Sequence, residues 1–178
     1  MDWHIEARGG KTLLRLTQSG FAGQSDWENE WFDSTSYGWG FMLLSLQVAL
    51  ERHRGVARRV AWPRLAVNCT REEAYKRLDA AGGLFAENAE VSLRAGEAYA
   101  LRTTTGEQWS GRVEFVQPPR GFCVTVREMK DALVWLTIEG APGKTEVQLW
   151  LSAFGMEQME VDVFGARWMG RLKTMFAR

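Results

Sequence analysis

GKTLLRLTQSGF, from Gly10, and GKTEVQLWLSAF, from Gly143, align without a gap at an offset of 133 residues. Gly10, Lys11, Thr12, Leu16, Ser19 and Phe21 match Gly143, Lys144, Thr145, Leu149, Ser152 and Phe154. Each run is then followed by a helical pattern in which a tryptophan is trailed by apolar residues four and seven positions on. These are Trp39 with Leu43 and Leu46, and Trp168 with Leu172 and Met175. A single shared dipeptide would be noise, but a run plus the same strand-to-helix order restricts the fold. Residues 1–56 are expected to be the closing strands and helix of one domain copy, and residues 57–178 a complete copy.

Between the two runs the pattern alternates as a sheet does. The short segment DWHIEA and the run KTLLRLTQSGF are read as two strands, and a polar, turn-rich loop is expected from Gly23 to Ser36. From Gly38 an amphipathic helix follows, with Trp39, Leu43, Leu46 and Leu50 on one face. Ser34, Thr35 or Ser36 is its expected N-cap, and Gly55 its stop. RRVAWPRLAV predicts a strand that its proline confines to an edge or a strand start. TREEAYKRL predicts a short helix opened by a capping box of Thr70 and Glu73 and closed by Gly82 and Gly83.

Five further runs have strand character: EVSL, YALRTT, QWSGRVEFV, FCVTVRE and ALVWLTI. In the third, Trp109, Gly111, Val113 and Phe115 alternate with Ser110, Arg112 and Glu114, which predicts one buried and one wet face. The turns RAGE, TTGE, QPPRG, EMKD and APGK favour hairpin succession over parallel crossovers. KTEVQLWLSAF is the last strand. A second long helix then places Val161, Phe164, Trp168, Leu172 and Met175 on one face. The predicted class is α+β, with a meander between a strand and a long C-terminal helix.

Charge and composition exclude several roles. Lysine plus arginine equal aspartate plus glutamate at 22 each, so no net field favours nucleic acid or an anionic membrane. FMLLSLQVAL falls far short of the ~20 apolar residues a membrane span needs, and the N-terminus carries no basic region leading into an apolar core. A cytoplasmic location is the expectation. Cys69 and Cys123 allow at most one bridge and are expected to be reduced, sequestered thiols. Nine tryptophans and nine phenylalanines are the informative excess, because large rings line cavities and interfaces as readily as they fill cores.

TLLRLTQSGF, the acidic aromatic segment DWENEWFD, and GWGFMLLSLQVALERH together resemble the terminal strand and helix of the domain named after the activator of the heat-shock protein 90 ATPase. That domain belongs to the SRPBCC (START-like) superfamily. Residues 57–178 resemble a more divergent copy, through their strand order and the segment from KTEVQLWLSAFG to RWMGRL. The resemblance implies a helix-grip fold, a curved antiparallel sheet wrapped around a long C-terminal helix, with a partial second copy at the N-terminus. It implies an apolar cavity for a ligand or, in stress-response chaperone co-factors, a surface for protein contact, and it implies no catalytic motif. The first copy lacks its opening strand and early meander. Its open edge and bare helix face predict either docking on the complete copy or a homodimer.

His4 and His53 stand apart, and no CxxC, HExxH, GxSxG or GxGxxG pattern accompanies them, so no metal, nucleophile, nucleotide or other cofactor is expected. The helix-grip expectation assigns Trp39, Leu43, Trp109, Phe115, Phe122, Val124, Trp135, Trp168 and Leu172 to the cavity wall. Trp27, Trp31 and Phe32, set among Asp26, Glu28, Glu30 and Asp33, suit recognition of a basic, apolar partner surface. The leading expectation is a binding module for an apolar or amphipathic small molecule or for a partner protein, with no part for nucleic acid or membrane. The competing readings are a cyclase- or hydratase-type enzyme of the same fold and a structural dimerisation unit. The enzyme would need a titratable group inside a cavity, and its best candidates, Glu114 and Glu128, are expected on the wet face.

Overall fold

The computed structural model describes residues 1–21, 25–86, 93–140 and 144–177, which form two compact units, Met1–Ser36 and Tyr37–Arg178. In the first unit, β1 (Asp2–Arg8) and β2 (Lys11–Thr17) make an antiparallel hairpin in which Arg8 pairs with Lys11. Gly9 and Gly10 both take positive φ, 57° and 75°. A two-residue turn of that hand matches the strand twist, and glycine adopts it without steric cost.

Helix α1 (Asp26–Arg52) begins where a loop was expected. The Ser25 hydroxyl accepts from the Glu28 backbone N–H at 3.2 Å and donates to the Glu28 carboxylate at 3.0 Å. A reciprocal cap eleven residues upstream of the last expected one lets Asp26 and Glu28 lie against the positive end of the helix dipole. The acidic aromatic segment is therefore helical. Asp26–Ser36 belongs to the first unit and Tyr37–Arg52 to the second.

The second unit is built on a curved antiparallel sheet of seven strands. β3 (Arg58–Ala61) and β4 (Arg64–Val67) are one edge strand interrupted at Trp62-Pro63, and both pair with β9 (Thr145–Phe154). The interruption keeps its bonding, since the Leu149 N–H donates to the Pro63 carbonyl at 3.0 Å. From β9 the order continues through β8 (Ala132–Glu139), β7 (Gly121–Val126) and β6 (Gln108–Gln117) to β5 (Ala98–Arg102). This is the expected meander, β5 to β9, with β3 and β4 added along its last strand. Glu90–Ser92 of the expected strand EVSL, and Ala141–Gly143 of the turn APGK, lie outside the described residues.

α2 (Arg71–Asp79) opens with the expected capping box: the Glu73 N–H donates to the Thr70 hydroxyl at 3.2 Å, and the Thr70 N–H to the Glu73 carboxylate at 2.9 Å. α3 (Gln158–Phe176) buries Val161, Phe164, Trp168 and Leu172, the stripe predicted from their spacing. Arg171 on α3 is tied by Nε to the Thr104 hydroxyl at 2.9 Å and by Nη2 to the Gly82 carbonyl at 2.6 Å.

Two apolar clusters occupy opposite faces of the sheet. One holds Val124, Val134, Leu136, Leu149 and Leu151 with the inner stripe of α3, and the other holds Cys123, Leu133, Trp135 and Phe154 with Phe41 and Val48 of α1. Alternation along β7 and β8 produces this division, because neighbouring side chains point to opposite faces. The sheet is thus apolar on both sides, and the second half of α1 covers the side that α3 does not.

Candidate functional site

The structure divides the nine residues assigned to a cavity wall. Trp109, Phe122, Val124, Trp168 and Leu172 come together between the sheet and α3. Their rings, with Phe85 and Phe164, form a continuous chain of contacts. Ring centroids lie 6.0 Å apart for Phe122 and Phe85, 5.8 Å for Phe85 and Trp109, 5.4 Å for Trp109 and Trp168, and 6.3 Å for Trp109 and Phe164. These are ordinary aromatic packing distances. Trp109, Trp168 and Phe85 are fully buried, so these rings pack against one another between the sheet and α3.

Phe115 and Trp135 lie on the other face. For Trp135 the cause is plain alternation with Val134 and Leu136. For Phe115 it is a β-bulge: Val113 pairs with Val124, yet Phe115 pairs with Cys123. The extra residue, Glu114, shifts the phase of β6 and turns Phe115 over. Trp39 and Leu43 also leave the expected wall. Phe41, Ser45 and Val48 are the buried residues of α1, and Trp39 and Leu43 stand two positions either side of Phe41, about 200° round the helix. Both are half-buried.

Under α1 the packing is aromatic with a buried ion pair. Phe41 stacks on Trp135 at 4.6 Å, and Tyr37 meets Trp135 and Phe115 edge-on at 5.1 and 5.6 Å. The Arg120 guanidinium lies 5.4 Å from the Tyr37 ring centroid and pairs with Glu139 at 3.6 Å, and Thr137 donates to Glu139 at 2.5 Å. His53 stacks on Phe154 at 4.6 Å, which gives it a packing role. Trp150 extends the set outward to Trp62, 4.0 Å away, over which Arg64 sits at 4.5 Å. None of Tyr37, Phe41, Arg120 or Glu139 was singled out from sequence. A second apolar stripe at 37, 41, 44 and 48 was the available signal.

Burial keeps the Cys123 thiol and the Tyr37 and Tyr99 phenols neutral. Burial pushes the Cys123 thiol well above its ordinary range, and Glu114 adds to the shift. Burial likewise raises the Tyr37 phenol, opposed in part by the Trp135 indole beside it, and raises Tyr99, whose hydroxyl donates to the Thr125 carbonyl at 2.9 Å. Glu128 is at the surface as expected. Partial burial pushes its carboxyl up, but two hydrogen bonds from Ser110, at 2.8 and 2.5 Å, outweigh this and bring it below the ordinary value. Glu114 differs from expectation, since the bulge leaves one of its carboxylate oxygens out of contact with solvent.

A pH dependence follows. Ordinary thiol and phenol values are 9.0 and 10.0. Above them the unfolded chain releases protons that the native fold retains, so stability falls as pH rises from about 9. Urea midpoints measured across that range are expected to drop, and a thiol reagent at pH 8 should label the half-exposed Cys69 while sparing Cys123 until unfolding. Equal labelling rates for the two thiols would contradict this burial.

In the first unit, Trp27, Trp31 and Phe32 cluster with Phe21. Centroids are 5.6 Å apart for Trp27 and Trp31, 4.8 Å for Phe21 and Trp31, and 5.2 Å for Phe21 and Phe32. Trp27 is nevertheless 71% exposed, and Trp31 and Phe32 are exposed as well. Being helical, the segment carries its rings on a fixed backbone, and Asp26, Glu28, Glu30 and Asp33 flank them.

The sequence matches no protein-family model and no curated protein. Solved structures do match. The Aha1 dimer from Colwellia psychrerythraea is 14% identical with a TM-score of 0.51, over 66% of this chain and 93% of that one. A Staphylococcus saprophyticus protein gives the same identity and TM-score over 66% and 89%. DynU16, from the dynemicin biosynthetic locus, is 17% identical with a TM-score of 0.51, over 65% of this chain and 46% of its own. At these identities the likeness is one of fold, the helix-grip arrangement of a curved antiparallel sheet and a long C-terminal helix. No helix among the described residues is long and apolar enough to cross a membrane.

Proposed function

We propose that this helix-grip chain is a non-catalytic module that contacts a partner protein through exposed aromatic side chains, rather than a carrier of an enclosed small molecule. The observation behind this reading is the aromatic packing between the sheet and α3, where Phe85, Trp109 and Trp168 are fully buried and Trp109 contacts the other two. A small-molecule site needs several hundred cubic ångströms of enclosed space. Binding surface is supplied outside the core by Trp27, Trp31 and Phe32, whose acidic neighbours suit a basic, apolar patch. The resemblance to the activator of the heat-shock protein 90 ATPase makes that chaperone the first partner to test.

Replacing Trp27 and Trp31 together by alanine is expected to weaken binding to purified heat-shock protein 90 at least tenfold in calorimetric titration, with the melting temperature unchanged. Exposed rings contribute to an interface and little to the fold. Unaltered affinity in the variant, or stoichiometric uptake of a fluorescent fatty acid by the wild-type chain, would overturn the reading. The internal repeat further supports the proposal that residues 1–56 derive from the closing part of a second copy, since β2 and β9 each precede a long helix.

A further inference from the structure

The hairpin β1–β2 repeats the pairing of β8–β9 at the offset that relates the two matched runs. Adding 133 to Trp3 with Leu16, His4 with Arg15 and Ile5 with Leu14 gives Leu136 with Leu149, Thr137 with Gln148 and Ile138 with Val147, all paired in the larger sheet. The pairs on either side correspond in the same way. β2 therefore stands in its hairpin where β9 stands in its own, residue for residue.

β9 is bonded along both edges, to β8 on one side and to β3 and β4 on the other, whereas β2 belongs to a sheet of two strands and is bonded along one. The turn fixes which groups are left over. In a hairpin closed by two residues the flanking pair exchanges hydrogen bonds, and the exchange recurs at every second pair. Arg8 and Lys11 flank the turn, so Lys11, Leu13, Arg15 and Thr17 direct their backbone groups at β1, while Thr12, Leu14 and Leu16 direct theirs at the other edge. The larger sheet agrees: Leu149, the match of Leu16, donates its N–H across that edge to the Pro63 carbonyl at 3.0 Å. No proline and no register shift interrupts β2, and an uninterrupted edge is a template for another strand.

β4, which closes this edge in the larger sheet, shows what fits it. Leu65 and Val67 face Val147 and Thr145, the matches of Leu14 and Thr12, and Arg64 faces Gln148, the match of Arg15. The edge of β2 differs in charge, since Lys11 and Arg15 are the charged residues of the strand and both are basic. We propose that β2 takes up an extended segment of a partner protein as a third, antiparallel strand, with apolar residues opposite Thr12 and Leu14 and a carboxylate opposite Arg15. Backbone hydrogen bonds supply the affinity and alternate side chains the selectivity. β2 of a second copy suits the edge poorly, because an antiparallel pair centred on Leu14 sets Lys11 of each copy diagonally against Arg15 of the other. The inference does not rest on the contact proposed for Trp27 and Trp31, which lie on α1.

The probe is the blocked peptide Thr-Val-Glu-Val-Thr-Val-Glu, whose central valine falls opposite Leu14 and whose glutamates fall opposite Arg15 and Lys11. Titrated into the full chain, it is expected to slow amide hydrogen exchange at Thr12, Leu14 and Leu16 at least tenfold at saturation. Leu13 and Arg15, already bonded to β1, should exchange as before. Lys11→Glu with Arg15→Glu is expected to weaken the peptide about tenfold and to prefer the version with lysine for both glutamates. Lys11 and Arg15 are exposed, so circular dichroism should not change. Proline in place of the central valine removes a donor to the edge and should abolish binding. Trp27→Ala with Trp31→Ala should bind the peptide as the wild type does, so the two contacts fail separately. Unchanged exchange at Thr12, Leu14 and Leu16 under millimolar peptide, equal binding of the proline version, or indifference to the charge reversal would each overturn the proposal. So would slow exchange of those three amides before peptide is added, whether the chain sediments as a monomer or as a dimer joined through β2.

Discussion

Trp168→Ala is expected to destabilise the second unit by about 3–5 kcal/mol, the range for truncating a large buried ring. Trp168 is fully buried on the inner stripe of α3 and touches Trp109 at 5.4 Å and Phe164 at 6.2 Å. Removing it leaves a void walled by rings that have few alternative rotamers. The substitution also detaches α3 from the centre of the sheet. Trp168→Phe should cost much less, because the indole N–H has no hydrogen-bond acceptor among the described residues and its loss orphans nothing. Urea unfolding of both variants distinguishes packing from polarity. A loss below about 1 kcal/mol for the alanine variant would mean that the interior collapses around the void or is not packed as described.

Phe41→Ala is expected to cost a similar amount, about 3–5 kcal/mol, although its helix would be read from sequence as presenting a different face. Phe41 has no exposed surface and stacks on Trp135 at 4.6 Å. Leu50→Ala, on the opposite side of the same helix, should change the unfolding free energy by no more than about 0.5 kcal/mol when measured at high dilution. The contrast decides which stripe of α1 covers the sheet. If Leu50→Ala proved the costlier, the packing of α1 on the outer face of the sheet would be wrong.

The two apolar stripes of α1 show where the sequence was legible and where it was not. Periodicity located a helix between Gly38 and Arg52, and the stripe Trp39, Leu43, Leu46 and Leu50 is real, but it faces away from the sheet. Phe41, Ser45 and Val48 form a second stripe, and spacing alone cannot rank two apolar faces of one helix. In α3 only one face is apolar at every turn, so Val161, Phe164, Trp168 and Leu172 were read correctly. The helix start was misplaced for a related reason. Ser25 and Glu28 carry the capping signature as plainly as Thr70 and Glu73 do, but the aromatic run between Trp27 and Phe32 masked it.

The repeat behaves in the same divided way. β2 and β9 are both strands that lead to long helices, in keeping with the matched runs at Gly10 and Gly143. Yet Trp168 closes a core while Trp39 is half-buried off the sheet, so equal spacing did not give equal surroundings.

By itself the sequence determined the hairpin succession of the meander, the edge position of the proline-bearing strand, the closing helix with its buried face, and the supply of rings. These follow from local period and local backbone chemistry, which a chain carries in every context. Only the tertiary structure decided that the rings of Phe85, Trp109 and Trp168 pack together inside the grip, that Phe115 turns over at Glu114, and that Arg120 and Glu139 meet beneath Tyr37. Each of those depends on residues far apart in the chain arriving at one place. A one-residue bulge or the choice between two apolar faces is then settled by which arrangement excludes more water.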